Sequence, residues 1–117
     1  MSFIKTDDNV KLFYESTGKG ETIIFVHEFA GDYRSWEPQI NYFSRYYQCI
    51  SFCARGYLPS EVPENESSYS QERAWRDILS VMDNLEIKKA HIVGLSMGGF
   101  ATLHLGLNAQ DRILSLV

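Results

Sequence analysis

The stretch from Ala90 to Ala109 restricts the fold more than any other part of the chain. A short apolar run, Ala90-His91-Ile92-Val93, passes through Gly94-Leu95-Ser96-Met97-Gly98-Gly99 into a second one, Phe100-Ala101-Thr102-Leu103-His104-Leu105, with no polar spacer. The first run reads as a strand covered on both faces. The second is long and apolar enough for a buried helix. A strand that gives way to a helix so abruptly must turn sharply. Gly94 and Gly98, two residues either side of Ser96, lack the Cβ atoms that would collide as the two elements close on each other. Both runs find cover in a parallel sheet with helices on its two faces.

The rest of the chain follows the same logic. Ser2–Thr6 and Val10–Thr17 are expected to form a hairpin around Asp7-Asp8-Asn9, with alternation through Val10, Leu12 and Tyr14. Thr22–Val26 is a continuous strand-like run, and Tyr47–Phe52 is the next strand. Between them Ser35 is expected to cap a helix that carries Trp36, Ile40, Phe43 and Tyr47 at helical spacing, with Pro38 in its first turn. A helix from about Ser70 to Leu85 places Trp75, Ile78, Leu79, Met82 and Leu85 on one face. Ala90–Leu95 is a buried strand, Met97–Ala109 a helix, and Ile113–Val117 the opening of a further strand. The expected class is α/β, a mostly parallel sheet with right-handed connections.

Composition narrows the function. Net charge is −4 and the eleven Lys and Arg are scattered, which argues against a nucleic-acid partner. No apolar run approaches the ~18 residues needed to span a bilayer, so no membrane partner is expected. The N-terminus lacks the basic and apolar regions of a secretory signal, so a cytoplasmic location is expected. Cys49 and Cys53 lie about 13 Å apart if both sit on one strand, beyond the ~7 Å a disulfide bridges, and are read as buried thiols. No spacing implies a metal site. The Gly18-Lys19-Gly20 and Leu58–Ser70 stretches are too short for linkers, so residues 1–117 read as one domain. Tyr57–Ser70, which takes in the second of these, is expected to be a solvated connection rather than a surface loop over a functional site.

The turn at Ser96 carries the chemistry. A serine held at a strained strand-to-helix turn projects its hydroxyl above the sheet. The helix N-terminus lies beneath it, and the free N–H of Met97 can donate to an oxyanion. Glycines at 94, 98 and 99 do not match the spacing of a dinucleotide-binding loop.

The chain resembles the N-terminal part of an α/β-hydrolase over nearly its whole length. Val26-His27-Glu28-Phe29-Ala30-Gly31 resembles the family's His-Gly loop after the third strand. Cys53-Ala54-Arg55-Gly56 resembles the Asp-x-Arg-Gly segment after the fourth, and Gly94–Gly99 resembles the nucleophile elbow. The resemblance implies that Ser96 is the nucleophile, with the backbone N–H groups of Met97 and Phe29 as oxyanion-hole donors. It implies a cofactor-independent hydrolase acting on a small ester, lactone or related acyl compound. Glu28 stands where the family has Gly, and Cys53 where it has Asp. Arg55 is expected to brace a loop rather than to bind substrate.

The family's acid and histidine follow the serine. After Ser96 only His104 and Asp111 are available. His104 lies about 12 Å along the helix and reads as a packing residue; His27 reads as an organiser of its loop, and His91 as lying at the far end of its strand. The chain is therefore expected to be an incomplete domain that stops before the last strands, with the triad acid and histidine beyond residue 117. The competing reading is a non-catalytic truncated paralogue or ligand-binding member of the fold. A third is a fragment that assembles with itself or with a complementary piece.

Overall fold

The computed structural model describes every residue from Met1 to Val117. Six strands and three helices alternate along it: β1 (Ser2–Lys5), β2 (Lys11–Thr17), β3 (Thr22–Val26), α1 (Glu37–Phe43), β4 (Gln48–Phe52), α2 (Gln71–Asn84), β5 (Ala90–Gly94), α3 (Met97–Asn108) and β6 (Ile113–Leu116). They form one sheet in the order β1-β2-β4-β3-β5-β6. The β1–β2 and β2–β4 pairs are antiparallel. The β4–β3, β3–β5 and β5–β6 pairs are parallel. The mostly parallel α/β sheet expected from the continuous apolar runs is present, with the hairpin as its antiparallel margin.

All five residues of β3 are buried, as a strand covered on both faces requires. On one face Ile24, Ile50 and Ile92 meet Ile78, Val81 and Met82 of α2 and Ala101 and Leu105 of α3. On the other, Ile23, Phe25 and Cys49 pack against Trp36, Ile40 and Phe43 at and within α1. Leu105 is fully buried in the larger cluster, where truncation to Ala typically costs 2–5 kcal/mol. Cys49 and Cys53 are buried and unbridged.

Local boundaries differ in three places from the sequence expectation. In the first, α1 runs only from Glu37 to Phe43, so Trp36 and Tyr47 lie outside the helix expected to carry them. Asp32, not Ser35, caps the turn that leads into α1: its carboxylate accepts the Arg34 N–H at 2.8 Å, while Ser35 Oγ reciprocates by accepting the Asp32 N–H at 3.3 Å. This is a capping box, in which both side chains satisfy a free donor. The fifth strand ends at Gly94 rather than Leu95, because the chain must already be turning there. Ser70 caps α2 as its type predicts, accepting the Arg73 N–H at 2.9 Å.

The topology makes a crevice. From β3 the chain crosses by α1 to β4 on one side, then returns by α2 to β5 on the other. The strand order thus reverses about β3, and the C-terminal ends of β3, β4 and β5 lie together, with Val26 opposite both Phe52 and Gly94. In open α/β sheets this is where ligands bind. No helix is long and apolar enough to cross a membrane.

Candidate active site

Three loops leave these strand ends side by side: His27–Gly31 after β3, Cys53–Tyr57 after β4 and Leu95–Ser96 after β5. The last is the sharpest. Ser96 has φ +54 and ψ −114, a combination rarely adopted by an L-residue, which costs on the order of 1–3 kcal/mol and persists only where its surroundings enforce it.

Those surroundings are backbone. The Leu95 N–H donates to the Val26 carbonyl at 3.4 Å, and the Gly98 N–H to the Leu95 carbonyl at 2.9 Å, so α3 starts at once. A Cβ on Gly98 would strike the carbonyl oxygens of Val26 and His27. A Cβ on Gly94 would strike the Gly98 carbonyl and the Thr102 hydroxyl. With no side chain at either position, α3 packs directly against β3 and β5. Ser96 stays exposed, and its hydroxyl makes no capping bond to the helix.

Met97 is the first residue of α3, so its N–H precedes the intrahelical ladder. The Phe29 N–H has no partner within the chain, and the Phe29 side chain is largely exposed. The loop that carries it is closed by the Gly31 N–H donating to the Glu28 carbonyl at 3.0 Å, and Ala30 takes a positive φ of 64. Glu28 folds its carboxylate back against this turn: Ser35 Oγ donates to Oε2 at 3.3 Å, while Oε1 is buried without a partner.

His27 anchors the loop. The Ala54 N–H donates to its Nε2 at 3.0 Å, so the ring proton resides on Nδ1, which donates to the Glu28 carbonyl at 2.8 Å. Both nitrogens are thereby committed to backbone. Tyr57 packs edge-on against this ring at 4.9 Å; its hydroxyl accepts the Ala30 N–H at 3.3 Å and donates to Met97 Sδ at 3.6 Å.

Arg55 braces the fold, as the sequence suggested. Nε and Nη2 donate to the two Asp77 oxygens at 2.8 and 2.9 Å. Nη2 and Nη1 donate to Asp8 at 2.8 and 2.9 Å, and Nη1 also donates to the Ser68 carbonyl at 2.9 Å. These bonds tie the hairpin turn, the loop after β4 and α2 together. The Arg55 guanidinium holds the Asp8 carboxyl far below the usual carboxylate range, while burial pushes Asp77 up. Asp77 and Asp8 carry no motif signal, being 22 and 47 residues distant from Arg55; helical amphipathicity does mark Asp77, an acid on the buried face of α2.

Beside the Ser96 turn lies a cavity of about 470 Å³, lined by Phe29, Met97, Gly98 and Tyr57 and, on α2 and α3, by Ala74 and Ala101. Tyr69 and Ser70 also line it. Only the ends of the Tyr57–Ser70 stretch reach the cavity; most of the residues between them are exposed, as expected of a solvated connection. The stretch carries no helical or alternating pattern because long-range bonds set its path, such as the Glu61 N–H to the Lys11 carbonyl at 2.8 Å.

None of the three histidines bonds to Ser96. His91 faces Ser115 Oγ at 2.7 Å and Glu21 at 2.9 Å at the opposite end of β5, and His104 lies partly buried within α3. No group of three or more His, Cys, Asp or Glu is placed to hold a metal ion.

The model of the alpha/beta hydrolase fold family matches residues 21–117. The 3-oxoadipate enol-lactonase 1 of Acinetobacter baylyi is 33% identical over 94 residues, covering 80% of this chain and 34% of that protein. Epoxide hydrolase 3 of Siraitia grosvenorii is 30% identical over 111 residues, covering 94% of this chain and 35% of that one. The crystal structure of a hydrolase from Pseudomonas aeruginosa PA01 superposes with a TM-score of 0.92 at 31% identity, over 98% of this chain and 43% of that one. The chain thus spans between a third and a half of the length of these relatives. It belongs to the α/β-hydrolase family.

Proposed function

We propose that this chain carries the nucleophile and oxyanion-binding part of a serine hydrolase that cleaves a small carboxylic ester, lactone or related acyl compound. Ser96 Oγ attacks the carbonyl carbon, a C–O bond forms, and the carbonyl π electrons move onto oxygen. The N–H groups of Phe29 and Met97 receive that charge. The serine proton passes to a histidine oriented by a carboxylate, both supplied by a segment that follows Val117 in the complete protein. The same histidine then protonates the departing alkoxide, and water repeats the sequence on the acyl-enzyme. Without that base, turnover falls by roughly 10⁶, so the 117 residues alone are expected to be nearly inactive.

The observation that carries this reading is the φ of +54 at Ser96, directly before α3. The close packing of α3 on β3 and β5 imposes that conformation, and an exposed hydroxyl held at such a strand-to-helix turn is what a nucleophile elbow requires. The serine also favours carbonyl over epoxide substrates. Attack of an alkoxide on an epoxide gives an ether, which has no carbonyl for water to attack, so the cycle would not close. An acyl-enzyme closes it.

The test is acid-quenched mass spectrometry of the complete protein and of its peptic digest after mixing with p-nitrophenyl acetate. One acetyl group on the peptide that contains Ser96 is the expected result. An acetyl group on another residue only, or turnover that persists in Ser96→Ala, overturns the reading.

A further inference from the structure

We propose that the cavity between the Ala54–Tyr57 loop, α2 and α3 receives the uncharged, apolar end of an acyl substrate and rejects one that ends in a second carboxylate. The proposal rests on the reading of Ser96 as nucleophile.

The cavity lies next to the Ser96 turn, with Met97 and Gly98 in its wall. Phe29 lines it too, so both residues whose N–H groups would hold the oxyanion border it. Phe52, Ala74 and Ala101 also line it, the last two being small side chains on α2 and α3. Its volume of about 470 Å³ falls within the range of small-molecule sites.

Charge decides what it accepts. Apart from His27, the only ionisable groups that reach the cavity besides its tyrosines are Arg55 and Asp77. The guanidinium has five N–H groups, and all five are engaged: two on Asp77, two on Asp8 and one on the Ser68 carbonyl. Asp77 faces it as the matching anion, with Arg73 Nε as a further donor at 3.1 Å. His27 has both nitrogens committed to backbone. The Tyr69 hydroxyl donates to the Pro63 carbonyl at 2.7 Å, and that of Tyr57 to Met97. A carboxylate drawn inside would shed its water with no free cation to meet it and with Asp77 nearby, which is strongly unfavourable. An alkyl or aryl chain meets alanine, phenylalanine and tyrosine surface at no such cost.

The experiment compares p-nitrophenyl acetate, p-nitrophenyl hexanoate and p-nitrophenyl monoadipate on the complete protein. The last two have acyl chains of equal length and differ in the terminal carboxylate. The expected kcat/KM for hexanoate exceeds that for monoadipate by roughly 100-fold or more. Ala74→Phe, which fills part of the cavity, is expected to lower kcat/KM for hexanoate roughly tenfold more than that for acetate. Equal turnover of hexanoate and monoadipate overturns the proposal, and so does a folded Ala74→Phe that affects acetate and hexanoate alike. If Ala74→Phe fails to fold, the wild-type ratio still decides. Ser96→Ala separates the two readings: retained turnover of all three esters overturns the nucleophile itself, whereas abolished turnover with equal wild-type rates overturns the subsite alone.

Discussion

Tyr57 Oη and Met97 Sδ lie 3.6 Å apart, joining the loop after β4 to the first residue of α3. The same hydroxyl accepts the Ala30 N–H at 3.3 Å, so one side chain touches one proposed oxyanion-donor residue, Met97, and the neighbour of the other, Phe29. Removing only the hydroxyl in Tyr57→Phe leaves the ring against His27 and frees the two loops to shift. The expected outcome is a kcat lowered by roughly 3- to 10-fold with KM nearly unchanged, because a misplaced oxyanion donor acts on the transition state. The stability loss is expected to be about 1 kcal/mol. Steady-state kinetics beside urea unfolding on the complete protein would check both.

The two glycines after Met97 are expected to behave oppositely. A Cβ at Gly98 meets the Val26 and His27 carbonyls, backbone that cannot yield. Gly98→Ala is therefore expected to cost about 3 kcal/mol or more. At Gly99 the nearest atom to a new Cβ is 3.5 Å away, an ordinary contact, and Ala is the better helix former by about 1 kcal/mol. Gly99→Ala is expected to be neutral or stabilising. Unfolding midpoints of the two variants settle the contrast, and equal destabilisation would contradict the packing described.

The Arg55 hub yields a stability prediction. Arg55→Met leaves the buried Asp77 with Arg73 alone and strips Asp8 of its main partner. Breaking a buried pair on one side typically costs 3–5 kcal/mol, and that is the expected loss by denaturant titration.

Acid should act through the same hub. Asp8 has a folded pKa below its unfolded value of about 3.9, held down chiefly by its hydrogen bond to Arg55. Its contribution is present above that unfolded value and is lost as the pH falls further toward the folded one. Asp77, raised by burial, works in the opposite sense. Asp8→Asn is therefore expected to flatten the acid-side decline of stability, measured as urea midpoint against pH. An acid limb as steep as that of the wild type would contradict the role given to Asp8.

The hub also marks where sequence reasoning stopped. Continuous apolar runs and their spacing revealed the strands, the helices and the sharp turn at Ser96, because each depends on neighbours within a few residues. The capping role of Asp32 escaped because Asp32 and Ser35 are both good caps, and only the reciprocal bond shows which one starts the turn. Tyr69 and Asp77 escaped for another reason. Their place in the cavity depends on chain paths fixed by bonds across tens of residues, such as Glu61 to Lys11.

The outer surface of α3 and the last strand bears on handling of the 117-residue chain. Phe100, Leu103 and Leu107 are 58, 59 and 73% exposed, and Leu114 and Leu116 of β6 are 41 and 38% exposed. β6 pairs only with β5 and has an open edge. Apolar surface next to an unpaired strand favours association. The isolated 117 residues are expected to elute above monomer size in gel filtration, and Leu103→Glu with Leu107→Glu to shift them toward it. A wild-type monomer with cooperative unfolding would contradict this.

The nucleophile is most directly tested by fluorophosphonate labelling of the complete protein. The predicted result is one covalent adduct on the peptide bearing Ser96, absent from Ser96→Ala and from denatured wild type. Labelling of Ser96→Ala as strong as that of wild type would contradict the account.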